Sequence, residues 1–167
     1  MIKNELQYEV TKDWAEKFAR AIVAVRQSEE RRKTDPDGWQ LLQDSYQSQL
    51  ESLQDEIDEY ETLIAHDPNQ PVVLNLDDIN KISELLIKAR IAFKITQKEL
   101  AYMCDRTEDE IKAYEERNYH NSSFLDFLAV IDSLGIQCQE GRFYAVLDDF
   151  YKDRLVAIRQ SENFNAA

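Results

Sequence analysis

Apolar side chains recur at helical spacing along the first seventy residues. From Thr11 to Arg32 they fall on one face of a predicted helix, at Trp14, Phe18, Ala21, Ile22 and Val25. Asp35 precedes Pro36, and because proline is favoured at the first position of a helix, a second helix is predicted to begin there. Its apolar positions repeat in a heptad-like seam, at Tyr46, Leu50, Leu53, Ile57, Tyr60 and Ile64. We therefore expect residues 1–70 to form an antiparallel helical hairpin, a coiled-coil-like arm.

Two prolines, Pro68 and Pro71, interrupt the helical pattern after this arm. The following residues 72–76 (VVLNL) favour either a linker or one short strand, and residues 135–139 (GIQCQ) alternate apolar and polar side chains as a partner strand would. After Gly141 a last amphipathic helix is predicted from Phe143, Leu147, Phe150, Tyr151, Leu155 and Ile158. The expected fold is mainly all-α, with at most one pair of short strands, divided into residues 1–70, 71–140 and 141–167.

The composition agrees with a folded, helix-rich chain. Hydrophobic residues make up 43% of the chain, and three glycines and three prolines leave little turn chemistry for strands. The net charge of −13 argues against non-specific binding to nucleic acid or to anionic membranes.

The longest apolar run, 21–25, is far shorter than the ~20 residues that span a bilayer. Because Cys104 and Cys138 are isolated and residues 1–10 do not resemble a signal peptide, we expect reduced cysteines and a cytoplasmic location.

Two helix starts between Asp77 and Leu134 carry the same signal. Thr96 is followed three residues later by Glu99, and Thr107 by Glu110, which are the spacings of a capping box. The two threonines are eleven residues apart. This distance fits a short helix, a tight turn and a second helix, the arrangement in which one helix supports another in a DNA major groove.

The segment around these helix starts resembles a known family. The similar motifs are residues 87–90 (IKAR), 95–101 (ITQKELA), 111–115 (IKAYE) and 130–136 (VIDSLGI). They resemble the XRE, or lambda-repressor-like, helix-turn-helix family of bacterial and phage DNA-binding domains, which includes many antitoxins. The resemblance covers residues 77–139 and implies a domain of four to five helices, preceded here by the helical arm.

The resemblance also implies roles for individual residues. Gln97 would lie against a DNA phosphate, the alternative being a solvated helix start, and Arg90 and Glu115 would form a structural ion pair. The second helix of the motif, here called the reading helix, would present side chains to base edges, and nearby lysines would approach phosphates. These candidate DNA-binding residues are Lys94, Gln97, Lys98, Arg106, Thr107, Glu108, Asp109 and Lys112.

The sequence departs from the family at the turn and along the reading helix. Asp105 stands where the family usually has glycine, which is tolerable because Asp adopts left-handed backbone conformations more readily than most residues. Residues 105–116 contain two basic and six acidic side chains, a balance of −4 that opposes an approach to DNA. In contrast, residues 85–104 have a balance of +3, from Lys88, Arg90, Lys94 and Lys98 against Glu99. This basic cluster either contacts DNA phosphates or is an ordinary solvated face.

No enzyme site is predicted. His66 and His120 are the only histidines, and the sequence has neither a Gly-rich phosphate loop nor a cluster with metal-ligand spacing, so no cofactor or metal is expected. We expect a DNA-binding transcriptional regulator whose partners are operator DNA, a second copy of the chain and, in an antitoxin-like protein, a toxin or other protein. The alternative is an interaction module that keeps the fold but binds a basic protein surface through its acidic reading helix.

Overall fold

The computed structural model describes residues 1–141 and 144–165, the last five of these by their backbone alone. The expected all-α class is confirmed, because the described residues form eight α-helices, a single 3₁₀ turn at Ile79–Lys81 and no strand. The helices are α1 Glu5–Gln27, α2 Glu29–Thr34, α3 Pro36–Ala65, α4 Ile82–Ala92, α5 Gln97–Met103, α6 Glu108–Glu116, α7 Phe124–Ser133 and α8 Asp149–Asn165. Met1–Ile136 form one compact unit, and a second unit begins at Gln137. None of the described helices is both long and apolar enough to span a bilayer.

Helices α1 and α3 pack side by side along the arm. The rings of Tyr8 and Tyr60 are 5.1 Å apart, and those of Phe18 and Tyr46 are 5.7 Å apart. At the other end the Trp39 indole N–H donates to the carbonyl of Val25, at 2.7 Å. Residues early in α1 therefore meet residues late in α3, so these two helices run antiparallel.

The predicted start of α1 was wrong, whereas its predicted buried face is confirmed except at Trp14. The helix begins at Glu5 because the Asn4 side chain accepts from the Gln7 amide at 3.0 Å, whereas the Thr11 hydroxyl donates to a carbonyl one turn earlier, inside the helix. It ends at Gln27, and α2 follows after Ser28. The buried residues Tyr8, Ala15 and Ile22 are seven apart, and the predicted Phe18, Ala21 and Val25 are half-buried beside them. Trp14 is 50% exposed.

Helix α3 begins where the sequence predicts. The Asp35 carboxylate accepts from the Gly38 amide at 3.0 Å, and Pro36 occupies the first helical turn. The fully buried positions are Ile57, Tyr60 and Leu63, so the seam passes through Leu63, and Ile64 is 40% exposed.

The predicted pair of short strands is absent from the described residues. Residues 72–76 and 135–139 are not assigned to any strand, although Val72 and Leu74 pack against the core while Val73 is 83% exposed. This alternation explains the strand-like pattern. The segment is held by alternate side chains, without the backbone partner that a strand needs.

Helices α4 to α7, here called the four-helix segment, share one way of ending. Each is followed by a residue with positive φ. The amide of the residue after that one bonds to the carbonyl five residues earlier, as in a Schellman motif. The four positive-φ residues that close these helices are Lys94, Asp105, Asn118 and Gly135. Three of them are not glycine, so these turns retain backbone strain.

The second unit contains α8. This helix begins at Asp149, later than the sequence predicts, and Phe143 of the predicted apolar face lies outside the described residues. Phe150 and Tyr151 are 63% and 57% exposed.

Candidate nucleic-acid interface

Helices α5 and α6 form a packed pair joined by a short turn. Both begin with the predicted capping box, in which Thr96 pairs with Glu99 and Thr107 with Glu110. In each box the Thr backbone amide also donates to the Glu carboxylate, and this bond lowers the pKa of Glu99 and of Glu110. Asp105 occupies the turn with φ 54°, the conformation that the sequence assigned to it.

A buried ion pair lies behind α6. Arg90 on α4 and Glu115 on α6, the two residues that the family resemblance pairs, have side chains only 8% and 2% exposed. The guanidinium donates from Nε and Nη2 to the two carboxylate oxygens, at 2.5 and 2.8 Å. Its remaining nitrogen donates to the carbonyl of Ile95 at 3.0 Å. This geometry ties α4 to α6 and to the start of the next loop.

Gln97 points toward this ion pair. Its side-chain Nε2 donates to Glu115 Oε2 at 2.7 Å, and the residue is only half-buried at the first position of α5. The amide that the resemblance directs at a phosphate is therefore bonded internally.

Arg106 bonds to α7. Its Nε and Nη2 donate to Asp126 Oδ1 at 2.7 and 2.6 Å, and its Nη1 donates to the backbone carbonyl of Asp105. Asp126 also accepts from the Ser123 hydroxyl at 2.7 Å and from the Tyr114 hydroxyl at 3.2 Å. These donors, Ser123 first and Arg106 second, lower the pKa of Asp126 to about 2. Arg106, which directly precedes the N-cap of α6, therefore links the start of α6 to α7.

The outer surface of α6 is mostly acidic. Glu108, Asp109 and Glu110 lie in its first turn, where negative charge is favourable to the helix dipole. Glu108 is half-buried and accepts from the exposed Lys112 at 2.7 Å; this bond, helped by the nearby charge of Lys98, lowers the pKa of Glu108. Asp109 is exposed. The face offers carboxylates to an incoming ligand, with Lys112 partly neutralised within the helix.

The basic cluster predicted from the sequence is largely directed into the molecule. Lys88 bonds to Glu59 of the arm at 2.6 Å, and Arg90 is buried against Glu115. Lys94 donates to the last carbonyls of α3, Leu63 at 3.3 Å and Ile64. Lys94 and Lys98 are both exposed, but it is Lys98 that lies beside the start of α6, where its charge acts on Glu108.

Two positioning residues were missed in the sequence. Asp126 had a local signal, since it follows Ser123 at the capping-box spacing and forms that box at the start of α7. Lys3 had none: its Nζ donates to the carbonyl of Glu115 at 2.6 Å, across 112 positions of sequence. Only the folded chain brings Lys3 and Glu115 together.

Comparisons with known proteins return nothing for this chain: no family model, no curated protein and no solved structure matches it. Its functional assignment therefore depends on the geometry of the α5–α6 pair and on the motif resemblance.

Proposed function

We propose that the chain is a sequence-specific DNA-binding transcriptional regulator of the XRE type, in which α5 and α6 are the two helices of a helix-turn-helix. The observation that carries this proposal is the α5–α6 pair itself. Two short capped helices are joined through a left-handed residue, and the second is held from behind by the buried Arg90–Glu115 pair while its outer face is free of the core. A helix supported in this way can enter a major groove with its N-terminal residues at base edges.

The proposal also covers the domain organisation and the oligomeric state. Residues 1–70 would be an arm, residues 71–140 a repressor-like domain and residues 141–167 a C-terminal helix and tail. The regulator would act in the cytoplasm as a homodimer, since repressors of this type bind paired half-sites. The exposed aromatic side chains of α8, Phe150 and Tyr151, support self-association through that helix. An antitoxin-like role with a toxin partner remains compatible with this reading.

The phosphate contacts available to this interface are few. Because Lys88 and Lys94 bond to the arm, and Arg106 bonds to Asp126, the exposed Lys98 is the leading phosphate contact among the candidate DNA-binding residues. Arg106 and Lys112 can add to it only by exchanging their carboxylate partners for phosphate or base oxygens. We therefore expect a shallow dependence of affinity on salt.

The direct test is fluorescence anisotropy with labelled duplexes covering the region upstream of the chain's own gene. The reference is a shuffled duplex of equal length and composition. The proposal expects at least a hundredfold tighter binding to one upstream duplex, within the range of specific over non-specific binding. Equal affinity for all duplexes, or no binding at low salt, would refute it.

Lys98→Gln sharpens this test. If Lys98 contacts a phosphate, the variant should reduce the slope of log affinity against log salt by about 0.9, because one fewer counterion is released. Lys33→Gln is the matched control, since Lys33 is an exposed lysine on α2, paired with Glu29 one turn away. Both variants remove one positive charge, so only a difference between them assigns the contact to Lys98.

Asp109→Asn tests the acidic face. Asp109 lies exposed in the first turn of α6, and removing its charge removes repulsion from the groove without adding a specific contact. Affinity for the shuffled duplex should therefore rise. If it does not change, α6 does not face DNA.

The second candidate is a protein-interaction module that has lost DNA binding. The observation that favours it is the combination of an acidic α6 surface with a basic cluster directed into the molecule. Such a surface would bind a basic protein face, so the shuffled and upstream duplexes would both fail to bind. In that case a basic partner recovered with the wild type should be lost when Asp109 and Glu116 are changed to Asn and Gln.

A further inference from the structure

The last turn of α6 carries no basic side chain, although Arg117 follows at the C-cap. A helix C-terminus carries partial negative charge and is stabilised by nearby Lys or Arg, yet the last turn of α6 contains no basic residue and ends in Glu115 and Glu116. Lys3, more than a hundred residues earlier in the sequence, brings a cation directly to the terminal carbonyls. Its Nζ donates to the carbonyl of Glu115 at 2.6 Å and to that of Glu116 at 3.2 Å.

The backbone of Lys3 is held as well as its side chain. Its carbonyl accepts from Arg90 Nη2 at 3.2 Å, and its amide donates to the Gln7 side chain at 2.9 Å. The preceding residue, Ile2, is buried in the core. Lys3 therefore reaches α6 from a fixed point, and it touches both the ion pair behind that helix and the carbonyls at its end.

The arm receives the reciprocal contact. Helix α3 also has no basic residue in its last turn, and Lys94, in the turn after α4, donates to its final carbonyls at Leu63 and Ile64. Each part thus caps a helix of the other: the arm caps α6 through Lys3, and the four-helix segment caps α3 through Lys94.

We propose that Lys3 is a positioning residue for α6, and that these reciprocal lysine caps make the arm set the position of that helix. The DNA-binding consequence rests on the proposed function, whereas the mechanical coupling does not. Lys3 lies at the C-terminal end of α6, and the predicted base contacts lie at its N-terminal end. Its effect on affinity should therefore come from helix position, without a phosphate contact of its own.

The coupling is tested by amide hydrogen exchange on the full chain. The reporters are the amides of Asn118 and Tyr119, which bond to the carbonyls of Glu115 and Tyr114 in the last turn of α6. Lys3→Met should speed exchange at these amides by about threefold to tenfold, as expected when a partly buried cation leaves a helix end. Lys3→Arg should restore protection, and Lys33→Met is the control. No change at the reporters, or an equal change at the amides of α7, would overturn the coupling; Lys3→Gln repeats the test if Lys3→Met does not fold.

DNA binding by the same variants tests the positioning role. Lys3→Met should weaken specific binding by about threefold to tenfold, Lys3→Arg should recover it, and the slope of log affinity against log salt should stay unchanged. A slope reduced by about 0.9 would make Lys3 a direct phosphate contact and would overturn the positioning role, as would unchanged affinity. If the wild type binds no duplex, the proposed function fails, and hydrogen exchange alone decides whether Lys3 controls α6.

Discussion

The Arg90–Glu115 pair offers a quantitative test of how the four-helix segment is held together. Glu115→Gln is nearly isosteric, so it opens no cavity, but it removes the charge that faces the guanidinium. The Glu115 carboxylate accepts three side-chain hydrogen bonds, two from Arg90 and one from Gln97. A glutamine there can accept only with one oxygen, and its new NH₂ group would face a donor.

The magnitude follows from burial. Arg90 and Glu115 have side chains 8% and 2% exposed, so neither recovers full hydration when its partner is changed. Removing one member of a buried pair costs about 3–5 kcal/mol. This is a large part of the about 5–15 kcal/mol that stabilises a typical domain. Glu115→Gln and Arg90→Met should each fall in that range.

The assay is urea unfolding followed by far-UV circular dichroism, applied to the wild type, both single variants and the double variant. The double variant should cost less than the sum of the single variants, with a coupling energy of at least about 2 kcal/mol, because it leaves no uncompensated buried charge. It will not match the wild type, since Arg90 also bonds to the carbonyls of Lys3 and Ile95. Additive single effects, or single effects below about 1 kcal/mol, would refute this account of the ion pair.

Three further tests, which use four substitutions, address other parts of the fold. Ile57→Ala should cost about 2–4 kcal/mol in urea unfolding because Ile57 is 5% exposed, whereas the half-buried Leu53→Ala should cost about half as much; equal costs would contradict the observed seam. Asp105→Gly should stabilise the chain by about 1 kcal/mol by relieving the left-handed backbone at φ 54°, and an unchanged or lower Tm would count against that strain. Asp126→Asn should cost about 1 kcal/mol at neutral pH. Because the folded pKa of Asp126 is depressed to about 2, its contribution to the free energy of unfolding is present above the unfolded pKa of about 4 and disappears as the pH falls toward 2. A stability difference between wild type and variant that does not change with pH would disprove this contribution.

Local chemistry made several helix starts predictable. Asp35 before Pro36, and the Thr–Glu pairs at Thr96 and Thr107, fix helix starts through bonds within four residues, and all three form. The end of α1 could not be read in this way. It breaks at Ser28, where neither glycine nor proline stands, and the surrounding residues 26–35 are all polar, so no apolar repeat marks the break.

Long-range contacts explain why the candidate site was only partly predictable. The charges of Lys88 and Lys94 were counted as a basic face from the charge balance of residues 85–104 alone, which leaves out Glu84, a partner of Lys88 at 3.7 Å. Their other partners, Glu59 and the end of α3, lie about thirty residues earlier. Gln97 shows the same difficulty, since its bond to Glu115 depends on the packing of α5 against α6.

The indole of Trp39, bonded to Val25 and lying under the guanidinium of Arg32, has a spectroscopic consequence. Trp14 and Trp39 are the only tryptophans of the chain, and both belong to the arm. Intrinsic tryptophan emission is therefore a local reporter of the arm, whereas far-UV circular dichroism averages over every helix. Emission and dichroism that change at the same urea concentration would identify a single cooperative transition, and an emission change at lower urea would reveal an arm that melts first.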